Sequence, residues 1–145
     1  MNERKLTAPA GAYQRFANGS VHWSRSSGAH FTRRDGQIQR KWASQKYERG
    51  PLGYPTSDQV RMRHRAQADY QNFQGGTIVT HPDTGTHTMG GAIRNTWRGL
   101  GWERSDLRLP TTDERPLTSP RGAYQHFQGG YITWTRSQGA RIHYR

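Results

Sequence analysis

Seven histidines and ten acidic residues are the first candidates for chemistry in this 145-residue chain, and their spacing argues against catalysis. No His pair stands at i, i+4 around a Glu, the arrangement that puts two zinc ligands and a general base on one helix face. The chain has no Cys, which removes disulfides and zinc–thiolate sites. A hydrolase needs one asymmetric constellation of nucleophile, base and orienter, or two carboxylates in one cleft. The best-placed histidines, His30 and His87, instead recur at matching positions of an internal repeat. Duplication of that kind fits structure or multivalent binding. No enzyme, no cofactor and no metal is expected.

Five Trp, seven Tyr and four Phe offer a different chemistry. The apolar face of a sugar stacks on an aromatic ring while polar neighbours read its hydroxyls; Trp and Tyr supply that area. Trp23 and Trp134 follow an alternating stretch next to a hairpin turn, with His30, His87 and Arg141 across the strand. They are candidate ligand contacts or packing residues between units. Gln14, Gln71 and Gln125 either donate to a ligand or satisfy buried backbone. Tyr54, from a proline-bounded loop, completes the candidate ligand set. Trp42 and Trp97 read as core, as do Tyr13, Tyr70, Tyr124 and Phe16, Phe73, Phe127, which recur in every copy. Asp58 and Asp113 read as N-caps or Asx turns. The Glu48-Arg49 and Glu103-Arg104 pairs read as inter-unit salt bridges, each contributing about 0–1 kcal/mol where exposed.

The elements that must position these residues follow from the repeat. Gly11-Ala12-Tyr13-Gln14-Arg15-Phe16 recurs as Asp69-Tyr70-Gln71-Asn72-Phe73 and as Gly122-Ala123-Tyr124-Gln125-His126-Phe127, with Tyr-to-Tyr spacings of 57 and 54 residues. Each copy continues into a period-2 stretch (Val21-His22-Trp23, Ile78-Val79-Thr80, Ile132-Thr133-Trp134). A turn ending in Gly28, Gly85 or Gly139 and a return strand then make a β-hairpin. Ile93, Trp97 and Leu100 lie at i, i+4, i+7, one face of a short helix. Ile38, Trp42 and Gln45 form a weaker face in the first copy. Pro and Gly then stop the helix and set turns.

The expected fold is an α+β repeat protein of tandem hairpin, short helix and Pro-bounded loop units, closed into a propeller-like pseudo-symmetric ring. Residues 1–10 are an N-terminal connector, 11–59 the first repeat and 60–66 a basic linker. Residues 67–114 are the second repeat, 115–121 a linker and 122–145 a half repeat with a hairpin only. Disorder is expected at residues 1–8 and left open for 60–66. A repeat this small is not stable alone, so the N-terminal connector or a second copy of the chain is expected to complete the half repeat.

Composition bounds the partners. Leu, Ile, Val and Phe number only 18, and the net charge is +12. A large aliphatic core is excluded, and no window approaches the 18 apolar residues of a membrane span. By composition alone the chain reads as disordered, but apolar residues kept in register across three copies argue for folded units. Of the 22 basic residues 19 are Arg, the side chain suited to planar recognition of carboxylate or phosphate. The run Arg61-Met62-Arg63-His64-Arg65 and a pI near 11 keep a nucleic-acid alternative open. No nucleic-acid-binding motif accompanies them.

Taken in order, the Tyr-Gln-x-Phe-x-x-Gly-x-Ile/Val-x-Trp hairpin, the Thr/Ser-Gly-x-His turn, the Ile-x-x-x-Trp helix and the Leu52-Gly53-Tyr54-Pro55-Thr56-Ser57-Asp58 loop closely resemble the LGFP repeat, from Leu6 onward. The resemblance implies an extracellular, cell-wall-associated module of actinobacterial type. It would bind wall polysaccharide or another anionic wall polymer without catalysis, through several weak sites. A protein-binding assembly subunit is the alternative. The second copy departs from the pattern at Leu107-Arg108-Leu109-Pro110 and at Thr80, and the third at Arg141. The units therefore need not be equivalent sites. No signal peptide is visible in residues 1–10.

Overall fold

The computed structural model describes residues 4–7 and 10–145. The first unit comprises β1 (Arg4–Thr7), β2 (Ala10–Phe16), β3 (Gly19–Ser24), β4 (Gly28–Arg33) and α1 (Gln37–Ser44), then a single 3-10 turn, Tyr47–Arg49. The second repeats it as β5 (Val60–Arg61), β6 (Asp69–Phe73), β7 (Gly76–His81), β8 (Gly85–Met89), α2 (Gly91–Leu100) and the turn Trp102–Arg104. The third holds strands alone: β9 (Arg115–Thr118), β10 (Arg121–Phe127), β11 (Gly130–Thr135) and β12 (Gly139–Tyr144).

Each unit is thus a four-stranded antiparallel meander rather than a hairpin, with strand orders β1-β2-β3-β4, β5-β6-β7-β8 and β9-β10-β11-β12. Of the two extra strands, one is the Tyr-Gln-x-Phe segment and the other comes from the connector segments. Arg4–Thr7 pairs with β2, so disorder does not extend over those residues; residues 1–3 and 8 lie outside the described set. Val60 and Arg61 pair with Tyr70 and Asp69. Met62 next to them is buried and joins the core. One apolar side chain inside a basic run is enough to anchor it, so 60–66 is not a solvated linker throughout. The expected ring is also corrected: no sheet closes into a barrel or propeller. Each helix packs between its own sheet and the next, so each sheet has two distinct sides.

The helices hold the stack together. α1 packs on β4 of its own sheet and on β7 and β8 of the next; α2 does the same with β7 and with β10, β11 and β12. Ile38 and Trp42 point into the first seam with Leu52, Phe73 and Ile78. Ile93 and Trp97 point into the second with Leu107, Leu109, Phe127 and Ile132. The indole N–H of Trp42 donates to the Gly53 carbonyl (3.1 Å), and that of Trp97 to the Arg108 carbonyl (2.9 Å). Each helix is therefore tied to the proline loop that follows it. Pro55 and Pro110 make bridges to Phe73 and Phe127, which seats each loop on the next sheet.

Gln71 and Gln125 complete the seams. The Gln71 amide donates to the Phe31 carbonyl, the Thr32 hydroxyl and the Ser57 carbonyl (3.3, 3.0 and 3.0 Å). Gln125 donates to the carbonyls of Thr88 and Thr112 (3.2 and 2.7 Å). Asp58 and Asp113 are not caps of their own turns. Asp58 accepts the Phe31 amide (3.0 Å) and Asp113 the Thr88 amide (3.1 Å), so each lashes its loop to the last strand of its sheet. The reason is proximity: the chain runs beside that strand before crossing to the next unit. Lys41 on α1 adds a cross-unit ion pair to Asp113 at 2.7 Å. Among the described residues, Glu48 and Glu103 form no ion pair; Glu103 accepts the His64 amide instead (3.2 Å).

Candidate functional site

Strand alternation gives each sheet two distinct sides; in the second, one faces the preceding unit and the other its own helix. On the helix side of the second sheet stand Tyr70, Asn72, Thr77 and Val79. The turn after α2 swings Trp102 over them, edge-on to Trp97 (centroids 5.2 Å apart, 83° between planes). Together they line a cleft of about 640 Å³ whose rim includes Arg63, His64 and Arg104. Trp102 takes a left-handed backbone, φ 56°, and its counterpart Tyr47 does the same at φ 54°. A bulky side chain in that region costs of order 1 kcal/mol. Two units keep it, and in both it brings an aromatic ring back against the helix Trp.

The lining of the cleft is consistent with ligand contact. Partly buried Tyr70 and Trp102 present ring area. Thr77 donates to Asn72 (2.7 Å) beneath them, fixing the orientation of the amide. Arg61 is engaged by Asp69, whereas among the described residues Arg63 and Arg104 have no acidic partner. A sugar ring stacked on the aromatics would find cationic donors at its edge. Among the described residues, no group of three or more His, Asp or Glu side chains is placed to hold a metal ion.

The first unit fills the space next to its tyrosine and keeps a smaller cleft, about 400 Å³, lined by Arg15, Ser20, Gln39 and Tyr47. His22 stands where the second unit has Val79. It stacks on Tyr13 (5.3 Å, 12°) and meets Trp42 edge-on (4.7 Å, 74°), while Trp42 meets Tyr47 (5.1 Å, 77°). Burial, with the nearby Arg15 charge, lowers the His22 pKa to about 4. The ring is neutral at ordinary pH, and among the described residues its buried Nδ1 has no hydrogen-bond partner. Among the described residues, no helix covers this side of the third sheet. Tyr131 stacks on His143 (4.4 Å, 13°), with His126 and Tyr124 next in the row, and Tyr131 is 37% exposed.

The residues singled out from the sequence are not brought together. Trp23 pairs with Ala29 and Trp134 with Ala140, while His30 pairs with His22 and Arg141 with Thr133. Paired residues share a face, so each Trp lies on the opposite side from the His or Arg once expected across from it. Trp23 is 46% exposed; Trp134 packs partly against the second seam. His30 and His87 spend their ring nitrogens on their own turns and loops: Ser27 carbonyl (2.6 Å) and Asp58 for one, Thr84 carbonyl and Asp113 (3.2 Å) for the other. Arg141 is exposed. Tyr54, Gln71 and Gln125 are buried in the seams, and Gln14 is half-buried. Sequence reasoning missed Tyr70, Trp102, Arg63 and Arg104 as a set. The aligned Tyr47-Glu48-Arg49 and Trp102-Glu103-Arg104 exits carried the signal, but no local pattern places a post-helix turn over a strand.

The LGFP repeat matches the chain three times, at residues 1–50, 52–105 and 107–144. The chain belongs to the LGFP-repeat family. The family is generally linked to non-catalytic cell-wall interactions, and the surface aromatic clusters of these units are consistent with ligand contact. No curated relative matches the chain.

Proposed function

We propose that this LGFP chain is a non-catalytic module that holds a cell-wall polysaccharide outside the cell through several weak sites. The observation that carries the proposal is the second unit's cleft, where Tyr70 and Trp102 offer ring faces beneath a rim of Arg63 and Arg104. The exposed Tyr131–His143 stack of the third unit supplies a second aromatic surface. Weak sites carried on one stack bind a polymer with an avidity no single site has. The net charge of +12 adds attraction to anionic wall polymers, weakening as salt rises.

Retention of the chain on purified wall fractions tests this, with peptidoglycan, arabinogalactan and anionic polymer kept separate. Binding to at least one fraction, reduced severalfold in Trp102→Ala with an unchanged melting curve, is the expected result. Retention on none, together with tight salt-sensitive binding to nucleic acid, sinks the proposal.

A further inference from the structure

Among the described residues, nothing covers the part of the first sheet around Phe16 and Trp23 that faces away from α1. Phe16 and Trp23 are each 46% exposed there, whereas the counterparts of Phe16, Phe73 and Phe127, are 2% and 0% exposed. In the second and third sheets this side is roofed by the preceding helix and proline loop. Two turn residues seat the loop. Gln74 accepts the Tyr54 amide (2.9 Å) and Gln128 the Leu109 amide (3.2 Å). Gly75 and Gly129 lie so close to the loop that an added Cβ would fall on the carbonyl oxygens of Pro51 and Asp106.

The first unit carries Ala17 and Asn18 at those two positions. A loop on the same path would lose its hydrogen-bond acceptor and collide with the Asn18 Cβ. The aromatic side is kept, but the seat for a further LGFP unit is gone. What lies beside it is cationic. Ala29, Phe31 and Arg33 alternate along β4 opposite Trp23, Val21 and Gly19, so they share the exposed side. Phe31, Arg33 and Arg34 line an open depression with Ala17, Asn18 and Asp35. Arg34 is 3.5 Å from the Asp35 carboxylate; among the described residues Arg33 has no ion-pair partner. From Trp23 to Gly19 the strip runs about 13 Å at strand rise, enough for a short oligosaccharide.

We propose that this uncovered side binds a strand of acidic polysaccharide, its sugar rings on Trp23 and Phe16 and its carboxylates on Arg33 and Arg34. The proposal rests on the wall-binding reading and gives it a ligand class and an end of the stack. Arg suits the task because its planar fork matches a carboxylate bidentately and stacks beside rings.

The test is calorimetric titration of the full chain with a uronate-rich wall polysaccharide and with the same material after carboxyl reduction. The acidic polymer should bind at least tenfold more tightly than the reduced one. The double variant Trp23→Ala, Arg33→Gln should lose that difference while melting as wild type. Unchanged binding by the double variant overturns this site and leaves wall binding standing. Failure of wild type to bind any wall fraction removes both. A single-stranded oligonucleotide bound by this side more tightly than the acidic polymer also overturns it. A second arm appends residues 34–59 directly before Arg4. Quenching of Trp23, taken by difference from Trp23→Phe, should stay at the wild-type level and fall only when Ala17→Gln and Asn18→Gly are added. Shielding of Trp23 in the unaltered fusion would show a protein-receiving face and refute the proposal.

Discussion

The first and second units set the same short helix against the same four-stranded sheet, yet the clefts on their helix sides differ: about 640 Å³ between Tyr70 and Trp102 in the second, and about 400 Å³ beside Arg15, Ser20, Gln39 and Tyr47 in the first. The difference traces to His22 against Val79 and to Tyr47 against Trp102. In the first unit Tyr13, His22, Trp42 and Tyr47 contact one another in a row and occupy the space. In the second, the smaller Val79 lies flat in the core and leaves room between Tyr70 and Trp102. A repeat can thus keep its skeleton while two side chains change the size and lining of the cleft each copy presents.

The largest expected effect separates seam from surface. Phe73→Ala should cost about 3–5 kcal/mol in urea unfolding, since its ring is buried against Trp42. Phe16→Ala should cost well under half as much, because half its ring area is already in water. Equal costs would break the contrast between roofed and open sides.

Next in size is a pH effect confined to the first unit. His22 is held neutral, with its folded pKa near 4 and below the unfolded value of 6.5. The unfolded chain therefore binds more protons between those values. Stability is full above pH 6.5 and declines as pH falls toward 4, by about 3 kcal/mol for a shift of this size. His22→Val, which copies the second unit, should flatten this part of the stability–pH curve. An unchanged slope in the variant would place the acid sensitivity elsewhere.

Gln71→Leu should cost about 1–3 kcal/mol by removing the buried donor to the Ser57 carbonyl and the Thr32 hydroxyl. Gln14→Leu, on the open side, should cost less in the same denaturation assay. The smallest effect concerns the tie between α1 and the second unit's loop. Burial alone would raise the Asp113 pKa, but the bonds from Lys41, the Thr88 amide and His87 outweigh it and hold the carboxyl below its usual value. That stabilisation is present above the unfolded carboxylate pKa and lost as pH falls through the lower folded one. Lys41→Met should remove less than about 1 kcal/mol, since the pair is partly exposed, and should weaken this acid dependence. A larger loss would mean that the ion pair, rather than the seam, fixes the angle between units.

Much of the scaffold was legible because its signals are local. Period-2 runs, Ile-x-x-x-Trp spacing and Pro/Gly stops all depend on residues a few positions apart, and recurrence, three times for the strands and twice for the helix, made them unambiguous. The connector strands were not legible: Val60–Arg61 is short and charged, and it becomes a strand only because β6 offers an edge. The candidate site was legible only in part. Aromatic stacking chemistry was visible, but Trp23 and His30 were assigned to one surface when the register set by the intervening turn puts them on opposite sides.

The sequence by itself determined the repeat, the family, the helix tryptophans and the absence of thiol chemistry. Tertiary structure decided which face of each sheet is covered. Phe16, Phe73 and Phe127 occupy the same motif position and have the same intrinsic preference for burial. Their exposures differ because burial belongs to a neighbour: a ring is removed from water only where a helix and loop from the preceding unit stack upon it.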